Sequence, residues 1–109
     1  MKYSVWQIVL VKYPFTDLSN TKLRPALVIG KYENDIILFP ITTKKTWLTI
    51  EIKLSDLESW ELLTNSYVKV NSIFTISSHL ILTHIAKLKK SKLDKILHKF
   101  IFDILHLSC

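Results

Sequence analysis

The side chain best suited to chemistry in this sequence is Arg24. It is the only arginine among the fifteen basic residues of the chain; the rest are lysines. An arginine presents a planar fork that grips a phosphate through two parallel hydrogen bonds, which a lysine cannot do. A site needing that fork would resist replacement by lysine. Pro25 follows directly and biases Arg24 toward extended backbone, so the arginine stands at a strand entrance behind a polar loop. An ordinary exposed or ion-paired arginine leaves the same trace in a sequence, so residue type alone does not decide its role.

Other chemistry-bearing residues fall into no working pattern. His79 and His84 are five apart, and His98 and His106 are eight apart on an expected helix, too far to share neighbouring turns. No carboxylate stands beside them at metal-ligand spacing. Asp56, Glu58 and Glu61 fall at an expected helix start, where charge–dipole attraction accounts for them. Ser77 and Ser78 lack the glycines of a nucleophile elbow. The single cysteine, Cys109, allows no disulfide framework or cysteine metal cluster within one chain. These observations predict no metal and no cofactor.

Composition sets the class. The 109 residues suit one domain spanning 1–109, large enough to bury a core without staples. Hydrophobic residues reach 49%, which argues against disorder, and a single glycine, Gly30, excludes a Gly-rich phosphate loop. The opening apolar run is interrupted by Gln7 and Lys12, and no stretch is long enough to span a bilayer; a soluble cytoplasmic protein is expected. The net charge of +6 fits a polyanionic partner, of which nucleic acid is the commonest, and fits equally a surface that is simply lysine-rich. Six of the basic residues lie between Lys87 and Lys99, so part of that charge belongs to one helix face.

The elements that must position Arg24 are mostly strands. Residues 5–12 are rich in β-branched side chains and end at Tyr13-Pro14. Residues 16–23 are polar and read as a loop, 25–30 as a short apolar strand, 31–34 as a turn and 35–42 as the next strand. Residues 47–54 alternate cleanly: Leu48, Ile50, Ile52 and Leu54 face one way, and Trp47, Thr49, Glu51 and Lys53 the other. Ser55 to Glu58 has the spacing of a capping box opening a short helix. Strands are expected at 67–76 and 81–88. From Ser91 to Asp94 a second helix begins, with Leu93, Ile96, Leu97, Phe100, Ile101, Ile104 and Leu105 along one stripe. The pattern predicts a mostly β (α+β) fold: a small, strongly curved antiparallel barrel with a C-terminal helix, which would leave no strand edge open.

The run YPFTDLSNTKLRPALVIG, followed by IILFPITT, resembles the start of the MazF/PemK toxins of bacterial type II toxin–antitoxin systems. The combination of Pro14-Phe15-Thr16-Asp17, Arg24-Pro25 and Pro40-Ile41-Thr42-Thr43 is moderately specific. Ser66-Tyr67-Val68, the run Ile85-Ala86-Lys87-Leu88 and the terminal helix extend the likeness over nearly the whole chain. The chain departs from the family pattern at Trp6-Gln7, where many members have Gly-Asp, and at Ser19, Asn71-Ser72 and Ala86. The resemblance implies an SH3-like barrel, a homodimer and a metal-independent endoribonuclease of single-stranded RNA. It also implies a cognate antitoxin whose tail covers the RNA groove.

Carried onto this chain, the family's arginine is Arg24 and its threonine is Thr42. In the implied reaction a 2′-hydroxyl attacks the adjacent phosphorus and leaves a 2′,3′-cyclic phosphate. The protein must stabilise charge on the phosphoryl oxygens and hold the attack in line. Arg24 suits the first task and, being permanently protonated, is not a simple general base. Thr42 can donate its hydroxyl to a phosphoryl or leaving oxygen; losing one such donor costs roughly 2.7–4 kcal/mol of transition-state stabilisation. By residue type alone Thr42 is simply a β-former at a strand end. Thr16, Asp17, Ser19, Asn20, Thr21, Lys22, Thr43 and Lys44 are the expected RNA contacts. Phe15 and Trp47 are possible stacking surfaces, though ordinary sheet or core aromatics fit them as well. Two alternatives share the fold: a CcdB-like toxin that binds a protein, and a catalytically weakened RNA-binding homologue.

Overall fold

A computed structural model describes residues 5–13, 22–60 and 65–105, the side chains of 13, 22, 59 and 60 excepted. Strand β1 (Gln7–Tyr13) leads to β2 (Lys22–Tyr32) and β3 (Asp35–Thr42). Three short strands follow: β4 (Thr49–Ile52), β5 (Leu57–Trp60) and β6 (Ser66–Lys69). Then come β7 (Phe74–Ser77), β8 (Ile81–Leu88) and helix α1 (Lys90–Lys99). The strands form one antiparallel sheet in the order β4-β6-β3-β2-β1-β8-β5, with β7 also paired to β3.

The sheet bends because its ladders slip. Register shifts occur between Ile8 and Val9, between Leu10 and Val11, between Val28 and Gly30, and between Leu57 and Ser59. Each bulge adds local twist and bends its strand. The curvature expected from the sequence is present, but the barrel is not closed by hydrogen bonds. Among the described residues no ladder joins β4 to β5, so both remain edges.

Both faces of the bent sheet carry apolar residues. One face packs Ile8, Leu27, Phe39, Ile41, Val68 and Leu88 against Leu93 and Ile96 of α1. The Phe39 and Phe100 rings meet edge to face with centroids 5.1 Å apart. The other face buries Val9, Val11, Ala26, Val28, Ile36 and Leu38, together with Ile76 and Ile81. Continuous burial of 26–28 on β2 reflects this two-sided packing.

Several expected boundaries shift for identifiable reasons. The region 67–76 is two strands, because both β6 and β7 pair with the same edge of β3 around an intervening turn at Val70 and Asn71. The alternating run 47–54 keeps only Thr49–Ile52 as strand. Trp47 lies in a turn and is 79% exposed, so it is neither a sheet nor a core aromatic; Leu54 is also exposed. The expected helix after Ser55 is instead a single 3-10 turn, Leu54–Asp56, that runs straight into β5. The Lys53 N–H donates to Asp56 Oδ2 at 2.8 Å, so the capping-type bond exists without a helix behind it. Helix α1 starts one residue before Ser91, and its stripe continues through a π-helical turn, Phe100–Ile104. Leu105, expected on the buried stripe, is exposed.

Asp56 fastens this region to the helix. Its carboxylate lies 3.2 Å from Lys92 Nζ, and its carbonyl accepts the Lys89 N–H at 2.8 Å. Burial pushes the Asp56 pKa up, but the Lys53 N–H and the Lys92 ammonium outweigh it and hold the carboxyl below its ordinary value. Among the described residues, three of the six cations between Lys87 and Lys99 are paired to acids: Lys87 with Glu58, Lys92 with Asp56 and Lys99 with Asp103. That charge therefore serves the helix and its neighbours. Among the described residues no helix is long and apolar enough to cross a membrane.

Candidate functional site

Register places Arg24 and Thr42 relative to one another. Arg24 on β2 lies opposite Val11 on β1. On the other side of β2, Ala26 lies opposite Pro40. Continuing that register by two residues aligns Arg24 with Thr42. Residues directly opposite in an antiparallel pair share a face, as do residues two apart on one strand. Arg24, Ala26, Pro40 and Thr42 thus occupy one face, continuous with the buried Val11. The β2–β3 pairing ends at Ala26 and Pro40, near which Pro25 and Pro40 offer no amide donor. Beyond that rung, the last residues of β3 pair with β6.

Arg24 is exposed and Thr42 half-buried. Among the described residues Arg24 takes part in none of the ion pairs. The Thr42 Oγ1 accepts a hydrogen bond from the Lys44 N–H at 3.2 Å. A hydroxyl has one donor besides its acceptor sites, so this contact orients the oxygen and leaves the O–H to donate outward. The same bond tightens the turn that presents Thr43 and Lys44, both exposed.

The loop beyond is pinned by two more threonines. Thr46 accepts from the Leu48 N–H at 3.2 Å, and Thr49 Oγ1 accepts from the Thr46 N–H at 3.0 Å. Trp47 therefore projects from a braced turn. Of the other expected contacts, Thr16, Asp17, Ser19, Asn20 and Thr21 lie outside the described residues, as does Phe15. Lys22 is seen only as the first residue of β2, extending that strand into the segment expected as loop.

Register also brings in residues that the sequence reading left out. Tyr67 lies directly opposite Thr42, and Glu51 lies directly opposite Tyr67. Lys69, two residues along β6 and opposite Thr49, shares their face and is exposed. On the reverse side Ile41, Val68 and Ile52 belong to the core, which fixes Thr42, Tyr67 and Glu51 as the outward set. Glu51, Tyr67 and Thr42 thus form one row across three strands, and Arg24 lies on the same face of β2, beyond the last β2–β3 rung. The alternation of 47–54 already put Glu51 on a polar face, but only strand pairing reveals which residues it joins.

The histidines do not enter this row: His79 sits in the 3-10 turn before β8, His84 on β8 and His98 on α1. The arrangement offers a guanidinium fork, an oriented hydroxyl, an aromatic ring and nearby ammonium groups along one face. That combination can hold a phosphodiester, neutralise its oxygens and support a neighbouring base.

Comparisons with known proteins bear on this arrangement. A family model described as PemK-like, MazF-like toxin of type II toxin-antitoxin system matches residues 4–102. Among solved structures, the Mycobacterium tuberculosis toxin MazF-mt6 superposes with a TM-score of 0.71 at 20% identity, over 94% of this chain and 99% of that one. An endoribonuclease in complex with its cognate antitoxin, from a mycobacterial species, gives 0.72 at 15% identity, over 100% and 99%. A MazE–MazF complex from Deinococcus radiodurans gives 0.70 at 13% identity, over 99% of each chain. At these identities the likeness shows a shared fold. Comparison with curated proteins finds no match.

Proposed function

The chain belongs to the PemK-like, MazF-like toxins of type II toxin–antitoxin systems, a family generally of endoribonucleases, and from that premise we propose that it cleaves single-stranded RNA without a metal. The observation supporting this most directly is that exposed Arg24 and half-buried Thr42 lie on the same face of β2 and β3, each two residues beyond the Ala26–Pro40 rung. Paired strands lie ~4.8 Å apart, and on this reading the side chains just beyond the Ala26–Pro40 rung converge on one phosphodiester.

In this mechanism Arg24 binds the non-bridging phosphoryl oxygens and stabilises the charge that grows on them as the 2′-hydroxyl attacks. Thr42 lends an O–H hydrogen bond to a phosphoryl oxygen or to the departing 5′-oxygen, while the 2′-hydroxyl gives its proton to solvent and the 5′-oxygen takes one from it. Lys44, Thr43 and Lys22, with the polar residues of 16–21, hold the flanking backbone and keep the attack in line. The products are a 2′,3′-cyclic phosphate and a free 5′-hydroxyl.

The partners follow from the same premise. One of the similar structures is an endoribonuclease in complex with its cognate antitoxin, and another is a MazE–MazF complex. This chain is expected to act as a homodimer in the cytoplasm and to be silenced by a cognate antitoxin that occupies the RNA face.

The test is incubation of purified protein with a diverse RNA pool in excess chelator, followed by sequencing of the new ends. Wild type is expected to leave cyclic phosphate ends at a restricted set of sites, and Arg24→Ala to leave the pool intact. If both proteins leave the RNA equally untouched, the nuclease reading fails. Growth arrest that persists in an Arg24→Ala, Thr42→Ala double variant would point instead to a protein target.

A further inference from the structure

We infer that Tyr67 is the stacking platform for the base next to the scissile phosphate; this rests on the RNA-cleaving reading above. Tyr67 lies directly opposite Thr42 on the adjoining strand, and their side chains share the outward face. Its strand neighbours Ser66 and Val68 are buried, pairing with Ile52 and with Ile50 and Ile41. That alternation directs the Tyr67 ring out of the core, and the residue is half-buried. A flat ring thus lies one strand away from the hydroxyl assigned to the phosphate and two strands from Arg24.

Single-stranded RNA is held by unstacked bases resting on aromatic faces, with cations along the backbone. The surroundings of Tyr67 fit that division of labour. Lys69 lies two residues along the same strand and face, placed for a phosphate beyond the stacked base. Glu51, opposite Tyr67 on the edge strand, is an acceptor positioned for base amino groups rather than for phosphate. The ligand is therefore a nucleobase of single-stranded RNA. Stacking itself tolerates any base, so Tyr67 contributes affinity and alignment more than sequence choice.

The experiment compares wild type with Tyr67→Phe, Tyr67→Leu and Tyr67→Ala in two arms. One measures steady-state cleavage of an RNA oligonucleotide bearing a mapped cut site. The other measures anisotropy of a labelled, mixed-sequence 2′-O-methyl RNA pool, which lacks the attacking hydroxyl and reports binding alone. Tyr67→Ala and Tyr67→Leu should raise KM and Kd by about 5- to 150-fold while kcat stays within about threefold. Tyr67→Phe, which keeps the ring, should match wild type within about threefold in both arms. Equal binding by Tyr67→Leu and wild type, or a Tyr67→Phe defect as large as that of Tyr67→Ala, would overturn the platform. A protein that binds the pool in a Tyr67-dependent way but cuts nothing would keep the platform and end the nuclease reading. Cleavage unaffected by Tyr67→Leu would do the reverse, and a wild type that neither binds nor cuts would end both.

Discussion

At the scale of single residues, the choice of arginine over lysine at position 24 is a matter of shape. Lysine keeps the charge but not the fork. Arg24→Lys is therefore expected to lower kcat by about 100-fold or more while RNA affinity changes little, as read from single-turnover cleavage and binding to 2′-O-methyl RNA. Thr42→Val, which preserves shape and removes the hydroxyl, should cost about 10²–10³ in kcat, whereas Thr42→Ser should retain most of the rate. Trp6 raises a separate residue-scale question. It stands where many family members have glycine, and its φ of 68° is left-handed. Its N–H donates to the Val28 carbonyl at 2.9 Å and its carbonyl accepts from the Leu88 N–H at 2.8 Å, so neighbouring strands hold it there. A left-handed L-residue costs roughly 1–2 kcal/mol, which glycine avoids at some cost in chain entropy. Both Trp6→Gly and Trp6→Ala lose the indole's packing. Chemical denaturation should nonetheless find the glycine variant about 0.5–1 kcal/mol more stable than the alanine one.

Elements show where sequence reasoning succeeds and where it stops. Strands 35–42 and 81–88 were legible to the residue because their patterns are bounded by clear turns. The stripe of α1 was legible because Leu93 and Ile96 repeat at helical spacing, and both are buried. The helix after Ser55 was not, because a local capping signal cannot say whether apolar residues downstream will find a helix's neighbours or a strand's. Leu57 pairs with Leu88, and that distant partner settles the matter. The site divides in the same way. Arg24 and Thr42 are candidates from their motifs alone, while Tyr67, Glu51 and Lys69 join them as candidates only through strand register, which no local pattern encodes. Asp56 supplies the element-scale prediction. Its folded pKa is depressed, so its contribution is complete above the unfolded value near 3.8 and is lost as pH falls through the lower folded value. The stability difference between wild type and Asp56→Asn should stay constant from about pH 5 to 8 and shrink below about pH 4, measured by urea titration at each pH.

For the whole molecule, the distribution of charge matters more than its sum. The lysines that face acids near α1 are engaged, while Lys44 and Lys69 flank the row that crosses the sheet. RNA affinity should therefore fall steeply with salt. Lys44→Gln and Lys69→Gln should each reduce the slope of log K against log salt by about 0.7, whereas Lys95→Gln on α1 should leave it unchanged. Titration of 2′-O-methyl RNA between low and moderate salt measures all three.

The turn after β3 and the Thr42 oxygen share one hydrogen bond, from the Lys44 amide. The aim proposed for the Thr42 hydroxyl and the conformation of the turn are in this way wired to a single switch. Anything that levers the 43–48 segment away from the sheet also untethers the Thr42 oxygen, so on the proposed reading a ligand gripping Trp47 from outside should silence cleavage without covering the Arg24–Thr42 face.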